Sequence, residues 1–250
     1  MSDRLVLPSM GDPVDELWET LLALAGGLRV DWTIIGGLMV YLHALEHQTL
    51  PPTVTQDADI LANVRATPTA LQQVIEALTA MSFDLEGFSP DGIAHRYVRD
   101  GRSLDSRVVV DLLAPEGVRR RANLTTTKPG RTIMVPGGTQ ALERTERIEV
   151  RFGRVVGALP RPNLLGAIVG KAAACALPED VTRHLRDLAF LCSLVKDPFT
   201  LRGEMNRKDR HRLGQACALD EYDNAAWRHV NESRRGDGFA TWGILRSTAS

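Results

Sequence analysis

Val30-Asp31-Trp32-Thr33-Ile34-Ile35-Gly36-Gly37 and, about 20 residues on, Thr55-Gln56-Asp57-Ala58-Asp59 decide how this chain is read. Residues 30–35 are rich in apolar and β-branched side chains and predict a strand, stopped by the two glycines. Leu38 to Glu46 has a helical pattern, so a strand, a glycine turn and a helix follow one another. Thr53 to Asn63 predicts a second strand, which carries Asp57 and Asp59. Side chains at i and i+2 of a strand share a face, so these two carboxylates project together. Anions that close repel one another unless a cation lies between them. Mg²⁺ binds through one or two carboxylates plus substrate phosphates, and this pair has the right chemistry for it. Taken alone, an Asp-x-Asp is also common in loops. An EF-hand is excluded, because Ala62 and Pro68 stand where that loop needs Gly and Glu.

The glycine turn has complementary chemistry. Glycines let the backbone approach a phosphate closely, and a helix N-terminus offers free N–H groups and a positive dipole end. A plain strand-to-helix turn uses the same two residues. Neither a P-loop nor a dinucleotide fingerprint is present. A third carboxylate, Asp111, ends the run Val108-Val109-Val110-Asp111 in a strand predicted over Arg107–Leu113. Three carboxylates on adjacent strands suit a two-metal phosphoryl-transfer site.

Outward from this centre, Pro13–Leu28 and Pro68–Met81 predict amphipathic helices. Gly92–Arg99, Arg131–Val135 and Glu149–Gly157 predict further strands, with Pro136-Gly137-Gly138 as a turn. Past Pro160-Arg161-Pro162 the pattern becomes helical, over Leu164–Ala176, Glu179–Leu194, Lys208–Leu219 and Asp220–Arg234. The expected fold class is therefore α/β (α+β). A small mixed sheet flanked by helices fills residues 1–159, and a helical C-terminal lobe fills 160–250, with a cleft between them.

Composition narrows the class further. With 44% hydrophobic and 24% charged residues, the 250-residue chain is ordinary for a globular protein. A net charge of -1 excludes global attraction to nucleic acid, leaving only local basic patches. Met1-Ser2-Asp3-Arg4 opens no signal peptide, and no run of apolar residues is long enough for a membrane span. Cys175, Cys192 and Cys217 have neither disulfide nor zinc spacing and read as buried free thiols, so a cytoplasmic protein is expected.

The order of apolar strand, Gly36-Gly37, helix, Asp57-Ala58-Asp59 strand and Asp111 strand resembles the polymerase-beta-type nucleotidyltransferase superfamily. Within it the chain looks most like the AbiEii-type nucleotidyltransferases, the toxin components of type IV toxin–antitoxin systems. That likeness runs from about Thr33 to Leu194. It includes Lys171 in Gly170-Lys171-Ala172-Ala173-Ala174 and Asp187 in Arg183-His184-Leu185-Arg186-Asp187-Leu188. The resemblance implies that Asp57 and Asp59 hold Mg²⁺ (or Mn²⁺), with Asp111 as the third carboxylate. It also implies that Gly36, Gly37 and Lys171 hold the NTP substrate and that Asp187 serves as base or positioning group. RNA, especially the 3′ end of tRNA, is the implied acceptor, and a cognate antitoxin the implied protein partner. Leu38 departs from the Ser or Thr that many superfamily members carry after the glycines, so phosphate contact rests on backbone N–H groups.

Read without the resemblance, these residues have plainer roles. Lys171 on an apolar helix is open to snorkelling towards solvent. Arg183 and Asp187, four apart, make an exposed ion pair. Arg202, Arg207, Lys208, Arg210, His211 and Arg212 form one basic cluster, diluted by Glu204 and Asp209, and Arg119-Arg120-Arg121 form another. Each cluster is either a solvated face or a grip for a phosphate backbone. His43 and His95 read as packing histidines. Two other functions remain open: a small-molecule (aminoglycoside-type) nucleotidyltransferase, and a nucleotide- or antitoxin-binding protein with weak catalysis.

Overall fold

A computed structural model describes residues 4–118 and 122–247. The Arg119–Arg121 cluster lies outside the described residues. The chain runs β1 (Leu5–Val6), α1 (Val14–Gly27), β2 (Trp32–Ile35), α2 (Gly36–Glu46), β3 (Asp57–Ala62), α3 (Ala70–Ala80), β4 (Asp84–Leu85), β5 (Arg96–Asp100) and β6 (Arg107–Pro115). It continues through β7 (Ile133–Val135), α4 (Gly138–Glu143), β8 (Thr145–Phe152), β9 (Val155–Pro162), α5 (Leu164–Ala174) and α6 (Val181–Cys192). Then come α7 (Pro198–Gly203), α8 (Arg207–Leu213), 3-10 turns at Gly214–Asp220 and Ala225–His229, and α9 (Glu232–Arg246).

The expected mixed sheet flanked by helices is present. Its strand order is β2-β3-β6-β5-β4, with β7 added along the end of β6. β3 and β6 are parallel, while β2–β3 and β5–β6 are antiparallel. Ile34, Ala58, Ile60, Val110 and Leu112 alternate with the polar positions and are sealed in the core. α1 lays Leu17, Trp18, Leu21 and Leu24 into that core. Burying each such side chain contributes about 1.5–3 kcal/mol.

Two expectations need correction, at Glu149–Gly157 and at Asp220–Arg234. Glu149–Gly157 is not one strand. It spans the turn of a hairpin, β8 and β9, with Gly153 at φ 55° between them, and this hairpin pairs with β1 in a second, three-stranded sheet. Pro160 and Pro162 lie inside β9, which is an edge strand of that sheet, where a missing N–H leaves no ladder bond unmade. The expected turn is present at Pro136-Gly137 and leads straight into α4, with Gly137 at φ 78° as its N-cap. Finally, Asp220–Arg234 is a 3-10 turn followed by the start of α9. Asn231 breaks the run by accepting from Ser233 N and capping the new helix.

A single cluster of buried side chains runs from Leu7 to Leu245 and passes through both halves of the chain. Of the three free cysteines, Cys192 is buried, Cys175 partly buried and Cys217 exposed, so the thiols are not uniformly buried. Among the described residues no helix is long and apolar enough to cross a membrane.

Candidate active site

One row of the six-stranded sheet passes through Ile35, Asp59, Asp111 and Arg96, each opposite the next in register. Asp57, two residues before Asp59, shares its face and accepts a hydrogen bond from Thr55 Oγ1 at 3.0 Å. The three carboxylates expected to act together are thus neighbours across β3 and β6.

Their environments differ. Asp111 is buried and doubly held: Arg96 donates from Nε and Nη2 to its two oxygens, both at 2.8 Å. His95, read from sequence as a packing residue, lies with Nε2 4.0 Å from Asp111 Oδ1. Asp59 has no such partner among the described residues. Protein closes around it although part of its surface stays open to solvent. Burial first, then the Asp111 charge, pushes its carboxyl from 3.8 up to about 6, with Asp57 adding to the rise and Lys171 and Arg183 opposing it.

The glycines follow from this crowding. Gly36 has φ 69°, and a Cβ there would overlap the Asp59 carboxylate. A Cβ at Gly37 would stand 2.8 Å from Arg183 Nη2 and 3.0 Å from Thr55 Cβ. Both glycines belong to the first turn of α2 rather than to a separate turn before it, and no side chain caps that turn. Its leading N–H groups therefore have no intrahelical partner and stand beside the carboxylates. Leu38 is buried in the core and presents nothing to a phosphate.

Lys171 comes from α5 and Asp187 from α6. Neither plain reading of them holds. Lys171 is 5% exposed and Asp187 1%, and Nζ donates to Asp187 Oδ2 at 2.6 Å. Asp187 therefore pairs with Lys171 and not with Arg183. His184 stands beside this pair. Burial, then the Lys171 charge, lowers its imidazole to about 4, so it is neutral at physiological pH. A cavity of about 150 Å³ brings Gly36, Asp59, Lys171 and His184 together, walled by Pro136, Gly137 and other apolar groups.

Two other concavities frame this one. A groove of about 650 Å³ is lined by Arg65, Arg207, Lys208, His211 and Arg212, with Glu116 among them. It adjoins the small cavity across α4, since Gly138 lines one and Thr139 and Gln140 the other. Asp209 does not dilute its charge as expected. It is fully buried, caps α8 with Asn206 and pairs with Arg144 at 2.5 Å. Arg202 leaves the cluster and donates to the Ser247 carbonyl. A larger cavity, about 1080 Å³, lies at the other end of α2, roughly 15 Å from Gly36 at 1.5 Å per residue. There the buried Arg161 pairs with Glu46 and Glu146, and His43 Nε2 hydrogen-bonds with the Pro162 carbonyl. None of the expected chemistry reaches it.

Sequence reasoning missed Arg96, Arg183 and His184 as parts of the site. Arg96 becomes visible only through the β5–β6 register. Arg183 and His184 lie within the Asp187 motif itself, on the same helix, and that placement is the signal that could have found them. Among the described residues, no three His, Cys, Asp or Glu side chains form a preassembled metal cluster.

No protein-family model matches the chain, and no curated protein does. Its structure is similar to that of an antigenic nucleotidyltransferase-like protein from Paracoccidioides brasiliensis. The two are 14% identical, with 84% of this chain and 90% of that chain covered, at a TM-score of 0.48. So distant a likeness leaves the chemistry to be argued from this chain's own residues.

Proposed function

We propose that this chain is a Mg²⁺-dependent nucleotidyltransferase, with Mn²⁺ as an alternative ion, that moves a nucleoside monophosphate from an NTP to an acceptor hydroxyl. The observation that carries the reading is Asp57 and Asp59 on one face of β3, beside the uncapped, glycine-led first turn of α2. The donor set is all oxygen, as Mg²⁺ prefers. Burial, and after it the neighbouring carboxylates, push Asp59 upward, and a cation relieves that electrostatic deficit. Asp57 and Asp59 would hold the ion. Asp111 would join only by giving up an Arg96 hydrogen bond. When bound, the ion neutralises charge on the phosphates and helps align them.

The chain's own groups supply the rest. The first N–H groups of α2 receive phosphate oxygens, and Lys171 places positive charge close to Asp59. Asp187 fixes the Lys171 ammonium through its hydrogen bond and is the positioning group of the pair. The apolar wall of the small cavity excludes water, which strengthens every charge interaction within it. The acceptor hydroxyl attacks the α-phosphorus in line, and the bond to pyrophosphate breaks.

RNA, with the tRNA 3′ end foremost, is the acceptor we favour. The basic groove next to the small cavity supports it, because phosphodiester backbones are held by such clusters. An AbiEii-type role would add a cognate antitoxin as protein partner and the cytoplasm as compartment. The test is incubation of the protein and Mg²⁺ with each α-labelled NTP and total RNA, with aminoglycosides offered in parallel. Label in RNA supports the reading. Label on the aminoglycoside alone replaces it with the small-molecule reading, and NTP binding without transfer replaces it with a binding protein.

A further inference from the structure

The cation freest to touch a substrate phosphate at this site is not Lys171. The residue is 5% exposed and its ammonium is already bound to Asp187 at 2.6 Å. That pair is neutral as a unit, and turning Lys171 towards a ligand would strand a buried carboxylate.

Arg183 is placed differently. It is the third residue of α6, and its Nη2 lies over the backbone of Gly37, 2.8 Å from where a Cβ would be. Thr55, which hydrogen-bonds Asp57, flanks the same glycine. Arg183 is close enough to lower the Asp59 pKa. Yet among the described residues its guanidinium, which is only partly buried, makes no hydrogen bond or ion pair, the buried Nε included. A guanidinium with spare donors, held against the uncapped first turn of a helix and beside two carboxylates, is set up for an anion that also carries a metal. A nucleoside triphosphate with its divalent cation is such a ligand. Guanidinium binds phosphate through paired N–H donors, a geometry an ammonium does not offer.

We propose that Arg183 is a direct ligand of the nucleotide's polyphosphate, and that the Lys171–Asp187 pair positions α5 against α6 behind it. This rests on the nucleotidyltransferase reading and assigns the phosphate contact within it. Gly37 is glycine, on this account, so that the guanidinium can lie against the helix turn and share a phosphate oxygen with its N–H groups.

The test is calorimetric binding of ATP, CTP, GTP and UTP, and of the matching monophosphates, to the full chain with Mg²⁺. Arg183→Gln should weaken the preferred NTP about 10- to 100-fold and its monophosphate far less. Arg183→Lys, which keeps the stem and the charge, should fall between the two, and both variants should melt as wild type does. Unchanged NTP affinity in Arg183→Gln overturns the assignment and leaves the nucleotidyltransferase reading standing. Equal losses for NTP and monophosphate overturn it too, since they mark a general loss of the pocket. A wild-type chain that binds no NTP overturns both.

Discussion

Asp59 and Asp111 stand opposite each other in the parallel β3–β6 register, and only Asp111 is neutralised, by the two Arg96 hydrogen bonds. Burial first, and then repulsion from Asp111, raise the Asp59 carboxyl to about 6. Its folded pKa lies above its ordinary value of 3.8, so the folded state binds this proton more tightly than the unfolded chain does. The stability it contributes is complete below about pH 4 and is lost as pH rises through about 6. Urea midpoints of the metal-free protein should therefore fall over that window more steeply in wild type than in Asp59→Asn. Mg²⁺ added above pH 6 should raise the wild-type midpoint only. Parallel pH profiles for the two proteins would contradict the placement of Asp59.

The Lys171–Asp187 bond joins two helices through a pair almost sealed from water. Lys171→Ala should cost about 3–5 kcal/mol in urea unfolding, because it leaves a buried carboxylate unpaired. Lys171→Met combined with Asp187→Leu should recover most of that loss. A cost below about 1 kcal/mol for the single variant would mean that the lysine reaches solvent after all.

Gly36 answers to both backbone and neighbour. Alanine there must adopt a φ of 69° and put a methyl group into the Asp59 carboxylate. Gly36→Ala should lose about 1–3 kcal/mol of stability from the strained backbone. It should also lower transfer on the order of 100-fold by shifting Asp59. Chemical denaturation and turnover under the same buffer check both, and wild-type turnover would show that the close approach is incidental.

If the α8 groove holds an RNA backbone, Arg207→Ala and Lys208→Ala should each weaken RNA binding for all sequences alike. Each should also reduce the slope of log affinity against log salt by about 1. Filter binding across a salt series measures this, and an unchanged slope would make the groove a solvated face.

The carboxylate row was legible in the sequence, because the period-2 rule places Asp57 and Asp59 on one face and the valines around Asp111 announce a buried strand. The buried state of Lys171 and Asp187 was not. Sixteen positions separate them, and only the packing of α5 on α6 brings them together. Arg96 was hidden for the same reason, since register across β5 and β6 is a tertiary fact. The hairpin at Gly153 is hard to see in sequence because β-branched and aromatic residues stand on both sides of a tight turn marked by one glycine. α9 was misplaced because Gly236, Gly238 and Gly243 weaken its helical pattern. Gly238 is small because it packs on Ser193, whose Cβ would lie 3.0 Å from an added side chain.

The most direct test of the central claim is Mg²⁺-dependent transfer from an α-labelled NTP by wild type, Asp57→Ala and Asp59→Ala, with circular dichroism showing all three folded. The account predicts label transfer by wild type alone and loss of it when the ion is chelated. Transfer at the wild-type rate by either variant would contradict it.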